Sequence, residues 1–205
     1  MTEPKIVKAD KGKNIVKEYF ENLGLKYVDF DYKKQRKNPD YIVLKDNKEI
    51  AAVEVKFLNT PDKFYIPRKT NKGKDKILEI LERAYAQFFK NLARDISNLP
   101  KIIFVVFYGG LEHSFDEFTR VILNCGYYQI DKNDLQNTFF YKYQEISAIC
   151  VLRYQPYTKN KLWVFENGIC GLKMSYDILD KTIVEHHLLF IKENNQFKVK
   201  KKDTK

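Results

Sequence analysis

At 205 residues, with 44% apolar and 31% charged residues, the chain has the composition of a folded domain rather than a disordered or fibrous one. Lysine and arginine outnumber the acidic residues by 37 − 27, a formal charge of +10 with a pI near 9.3, which points to a polyanionic partner. The N-terminus lacks the apolar core of a signal peptide, no apolar run is long enough to span a bilayer, and Cys125, Cys150 and Cys170 are too scattered for a disulfide framework or a zinc cluster.

A soluble protein of the reducing cytoplasm, with small buried thiols, is the expectation. Lys11 to Leu23 is predicted as the first helix, with Asp10 as its N-cap and Gly24 as its stop. Ile15, Val16, Tyr19, Phe20 and Leu23 form its apolar stripe, with Glu18 at the border and Glu21 on the outer side. Leu25–Tyr32 has the aromatic and aliphatic character of a strand. Lys33–Asn38 is a polar loop, and Pro39 biases Asn38 toward an extended conformation.

Asn38 to Lys56 then reads as two short strands joined by a tight turn, with Asp40 opening the first strand and Glu54 and Lys56 near the end of the second. Glu54 and Lys56, two apart, share a face. Two carboxylates and an ammonium on a half-buried sheet are costly unless something uses them, and a divalent cation would. Register determines whether Asp40 joins the group. A two-residue turn at Asp46-Asn47 pairs Asp40 with Val53 and turns it away from Glu54. A three-residue turn at Asp46-Asn47-Lys48 pairs Lys45 with Glu49 and sets Asp40 opposite Glu54. The three-residue turn is the expectation, although local bending would reach the same end.

Residues 59–74 are predicted as a loop carrying Lys63, Arg68, Lys69, Lys72 and Lys74, where a nucleic-acid groove would lie. A long helix from Asp75 to Ile96 follows; Ile77, Leu78, Leu81, Ala84, Tyr85, Phe88 and Leu92 make its buried face, and Lys76, Arg83 and Gln87 gather on one flank. Lys101–Tyr108 is a continuous apolar strand of the kind buried on both faces of a sheet, ended by Gly109-Gly110. The second half is predicted to hold helices at Ser114–Asn124, Asp131–Asn137 and Ser175–Ile183. It is also predicted to hold a hairpin of Ser147–Gln155 and Lys161–Glu166 and a strand at His187–Lys192. His186 and His187 alternate across that strand, so only one of them can face any site. No internal repeat or low-complexity linker divides the chain. One domain over 1–205 is therefore expected, with a core at 11–108, an extension at 109–195 and a basic tail at 196–205.

From Lys11 to Tyr108 the order is helix, strand, strand, strand, helix, strand, with Pro39-Asp40 opening one hairpin strand and Glu54-Val55-Lys56 on the other. This combination resembles the PD-(D/E)XK nuclease superfamily, the restriction-endonuclease-like fold, over about the first half of the chain. The resemblance implies an α/β (α+β) fold: a central mixed sheet flanked by helices, with an αβββαβ core. Its C-terminal strands and helices would extend the sheet and supply substrate contacts or a homodimer surface.

The resemblance implies that Asp40 and Glu54 coordinate Mg²⁺, with Mn²⁺ able to substitute, and that the backbone carbonyl of Val55 completes the site. Lys56 would orient or help deprotonate the attacking water, and Glu18 matches a position from which many members supply a further acidic group. Arg83 and Gln87, with Lys76, match the helix that lines the site in this family. The Gln-x-x-x-Tyr pattern of the RecB-like branch is not met, because Asn91 stands four residues after Gln87. Arg68, Lys72 and Lys74 of the basic loop would contact substrate phosphates. The implied activity is an endonuclease hydrolysing phosphodiester bonds of DNA, in restriction, repair or mobile-element defence. The alternatives are a catalytically inactive nucleic-acid-binding module of the same fold, and an RNA-cleaving or toxin-like nuclease with an inhibitor partner.

Overall fold

The computed structural model describes residues 5–30, 38–59, 75–89, 94–108, 114–123, 138–154 and 159–203. Eight strands pair in chain order into one mixed sheet. They are β1 (Lys26–Asp29), β2 (Tyr41–Lys45), β3 (Lys48–Asn59), β4 (Lys101–Tyr108), β5 (Ile146–Tyr154), β6 (Lys161–Asn167), β7 (Val184–Glu193) and β8 (Gln196–Lys201). The described helices are α1 (Lys5–Asn22), α2 (Lys76–Phe89), α3 (Ser114–Leu123) and a single turn α4 (Phe139–Lys142). β1, β2 and β3 form an antiparallel meander, and β4 and β5 then run parallel to β3. β6 reverses, β7 runs parallel to β6, and β8 closes the sheet antiparallel to β7.

The sheet separates two apolar layers. On one face α2, α3 and α4 bury Ile77, Leu81, Phe88, Phe118 and Phe140 against Ala52, Ile103, Val105 and Phe165. On the other, α1 packs Val16, Tyr19 and Phe20 onto Val53, Val55, Phe104 and Ala148, beside Met174, Ile178 and Leu179 from the β6–β7 connection. Residues 102–107 of β4 are consequently buried on both sides, as their unbroken apolar run predicts. The placement of the connections follows from handedness. The β3–β4 crossover lies on the α2 face and the β6–β7 crossover on the opposite face. Because β6 runs against β3, this keeps one hand for both. Tyr19 stitches α1 to the second crossover: its hydroxyl donates to Ile178 O at 2.7 Å and accepts from Asp180 N–H at 2.8 Å.

Several predicted boundaries move. α1 begins at Lys5, so Asp10 lies inside the helix and not at its N-cap. Its predicted end holds: Gly24 takes φ +69, a left-handed conformation suited to glycine just past a helix. α2 starts where expected, with Asp75 Oδ1 accepting from the N–H groups of Ile77 and Leu78 at 2.9 and 3.2 Å. Residues 94–96 are not helical, so the helix does not reach Ile96. The segment 175–183 holds only a 3-10 turn, Tyr176–Ile178. Of the predicted basic tail at 196–205, residues 196–201 form β8. Asn194 and Asn195, with φ 49 and 61, make a two-residue turn, and Phe197 stacks on Phe190 at 5.5 Å with nearly parallel rings. The predicted helix at Asp131–Asn137, the basic loop and Cys125 lie outside the described residues; Cys150 and Cys170 are buried thiols.

Candidate active site

The β2–β3 hairpin is turned by two residues, not three. Lys45 pairs with Lys48, and Asp46 and Asn47 take φ 51 and 62, the left-handed pair of a type I′ turn. That turn alone would leave Asp40 across from Val53. The ladder instead slips between Val43 and Leu44: Leu44 pairs with Glu49, Val43 with Ala51 and Tyr41 with Val53. Ile50 is the extra residue of a β-bulge, and its side chain packs on the α1 face beside Ala51. Continued by one residue, the corrected register sets Asp40 opposite Glu54. The expected juxtaposition is reached by the bulge rather than by the expected turn.

Four charged side chains meet there. Asp40 is 6% exposed and Glu54 3%. One oxygen of Asp40, Oδ2, accepts from the backbone N–H of Val55 at 2.8 Å, and the other, Oδ1, lies 2.5 Å from Lys13 Nζ on α1. Glu54 Oε1 accepts from Lys56 Nζ at 2.5 Å. Glu54 Oε2 is buried and has no hydrogen-bond partner among the described residues. Burial, and then the Asp40 carboxylate beside it, push the Glu54 carboxyl up to about 7 against the opposing pull of Lys56 and Lys13.

This donor set fits a hard divalent cation, which takes oxygen ligands and retains water. The uncommitted Glu54 Oε2 next to Asp40 is the oxygen such an ion would use. Among the described residues no group of three or more His, Cys, Asp or Glu side chains converges, so an ion here would rest on two carboxylates, backbone carbonyl and water. Val55 enters the site through its N–H, which orients Asp40.

Glu18 and Arg83 are both exposed and lie outside this buried group. Glu18 is exposed on α1, and the residue that α1 brings to Asp40 is Lys13, five positions earlier. Arg83 is an exposed side chain paired with Glu79 one turn before it. Lys76 and Gln87 are half-buried on α2. Arg68, Lys72 and Lys74 lie outside the described residues. Lys13 was missed because a lysine in a lysine-rich helix reads as solvated. The available signal was its position: 13, 16 and 20 fall on one face at helical spacing, so Lys13 continues the stripe of Val16 and Phe20.

A second polar cluster lies on the α1 face of the sheet. Glu166 of β6 accepts from His187 Nε2 at 2.9 Å, Lys202 Nζ at 2.8 Å and the Tyr176 hydroxyl at 2.9 Å. These donors outweigh desolvation and hold its carboxyl down to about 2. The cluster ties β6, β7, the 3-10 turn and the residue after β8 together, beside a cleft of about 330 Å³. It accounts for His187, the histidine of the pair that turns inward; His186 stacks on Phe115 at 4.1 Å on the opposite side.

No family model, no curated protein and no solved structure matches the chain. Among the described residues no helix is long and apolar enough to cross a membrane.

Proposed function

We propose that the chain is a metal-dependent endonuclease of the restriction-endonuclease-like fold, hydrolysing phosphodiester bonds of DNA. The observation that carries this reading is the pairing of two buried carboxylates, Asp40 and Glu54, in which Glu54 keeps one oxygen unbonded and Lys56 stands on the same strand face. The element order supports it: a helix, an antiparallel β1–β2–β3 meander, a second helix and a strand parallel to β3. The formal charge of +10 suits a polyanionic substrate whose binding weakens as salt rises.

In this reading Asp40 and Glu54 hold Mg²⁺, which when bound polarises the scissile phosphate and acidifies a water. Val55 N–H fixes the Asp40 carboxylate, so the ligand is oriented before any ion arrives. Glu54 must be ionised to serve, and its raised carboxyl makes it a weak ligand below neutral pH. Lys56, partly exposed at the rim of the group, is placed to orient the attacking water and to steady the phosphate charge.

A second reading draws on Lys13. Its ammonium, 2.5 Å from Asp40, already balances that carboxylate without a metal, which suits a fold that holds nucleic acid without cleaving it. Plasmid nicking with Mg²⁺ or Mn²⁺ separates the two. The nuclease reading predicts cleavage by the wild-type protein and a loss of about a hundredfold or more in each of Asp40→Ala, Glu54→Ala and Lys56→Ala. Cleavage unchanged in all three variants removes the site. A wild-type protein that binds but does not cut duplex DNA, single-stranded DNA or RNA is the binding module.

A further inference from the structure

We propose that Lys13 is the resident counter-cation of the acidic pair. Its ammonium neutralises Asp40 in the cation-free protein and is displaced when a divalent cation binds between Asp40 and Glu54. The inference rests on the reading of that pair as a cation site.

The seat of Lys13 is built from several sides. Gly12 carries α1 so close to β3 that a Cβ there would stand 2.9 Å from Phe57 Cβ, one residue from Lys56. The Tyr41 hydroxyl, reaching from β2, donates to the Lys13 carbonyl at 3.4 Å. The side chain then runs inward, 7% exposed, and ends 2.5 Å from Asp40 Oδ1. A buried ammonium is expensive unless paired, so a lysine held this way has a specific partner to serve.

Asp40 and Glu54 are balanced by Lys13 and Lys56, and both ion pairs are closed at 2.5 Å. A divalent ion entering this buried group adds two positive charges where the sum is already even. Positive charge must leave or turn away. Lys56 bonds Glu54 Oε1 and leaves Oε2 open, so an ion can use Glu54 without disturbing it. Asp40 is engaged at both oxygens: Oδ2 accepts from Val55 N–H, and Oδ1 faces the Lys13 ammonium, whose charge repels an incoming cation. The amide is fixed in β3, whereas the ammonium ends a flexible four-carbon chain. Lys13 is therefore the group that yields. Metal binding then costs the release of an internal ion pair, which lowers affinity, and in the cation-free protein Lys13 spares Asp40 from being an uncompensated buried charge.

The test uses Mn²⁺ alone, added to the metal-free full chain and followed by electron paramagnetic resonance. Lys13→Met and Lys13→Gln remove the charge and are expected to bind Mn²⁺ about tenfold or more tightly than wild type. Lys13→Arg keeps the charge and is expected to stay within about threefold of wild type. A measurement on the unaltered chain does not depend on the variants folding. With lysine ¹³Cε labelling, MgCl₂ should shift the Lys13 resonance over the concentration range in which the site fills. Neutral variants that bind no tighter than wild type, or a Lys13 resonance unmoved at saturation, overturn the counter-cation role and leave the cation site standing. If Mn²⁺ binds neither wild type nor any variant, both ideas fall together.

Discussion

Glu54 is the residue whose environment departs furthest from what its position in the chain suggests. It sits on a strand among Ala52, Val53 and Val55, all buried, and its carboxyl is pushed from an ordinary 4.5 up to about 7. The linkage follows from the sign of that shift. Between pH 4.5 and 7 the folded protein keeps the proton that the unfolded chain releases, so stability falls as pH rises through this window and stays lowered above it. Metal-free wild-type protein should thus lose stability from this group as pH rises from 5 to 8. Glu54→Gln should lose none of it, so urea denaturation in chelator should show the variant gaining on wild type as pH rises. A wild-type-minus-variant difference that is flat with pH contradicts the assignment. The identities of Asp40, Glu54 and Lys56 were readable from the sequence, because carboxylates and a lysine are conspicuous in an apolar strand. Lys13 was not, because nothing in a lysine's identity says whether its ammonium is solvated or turned inward.

At the level of elements, the site is made by two local devices that the chain encodes weakly. The first is the bulge at Ile50. The dipeptide Asp46-Asn47 suits a two-residue turn, but a bulge has no comparable sequence mark, so turn length and strand register could not both be read correctly. The second is the close approach of α1 to β3 at Gly12. Alanine is favoured over glycine in a helix by about 1 kcal/mol. At Gly12 the added methyl would meet Phe57 Cβ, which is fixed to the β3 backbone. Gly12→Ala should therefore destabilise the protein, by about 1–3 kcal/mol in chemical denaturation. A neutral or stabilising result means that α1 is not clamped there. Elsewhere legibility tracked the strength of the apolar pattern. Both ends of β4 are legible in the sequence because the strand is buried on both faces. β8 looks like a tail in the sequence because its lysines mask the inward alternation of Phe197 and Val199, a common dress for a strand at the edge of a sheet.

For the whole molecule, the sheet orders its strands as the chain does, so two strands, β4 and β5, separate β3 of the site from β6 of the second polar cluster. The αβββαβ order was legible because each element carries its own period, while the β5–β8 extension was legible only in pieces. The function of the molecule turns on whether Asp40 and Glu54 hold a cation. Crystals soaked in MnCl₂ and measured near the manganese absorption edge test it most directly. One anomalous peak is expected within bonding distance of an Asp40 oxygen and Glu54 Oε2, with Lys13 Nζ moved away from Asp40. A saturating soak that leaves this position empty, with Lys13 still on Asp40, contradicts it.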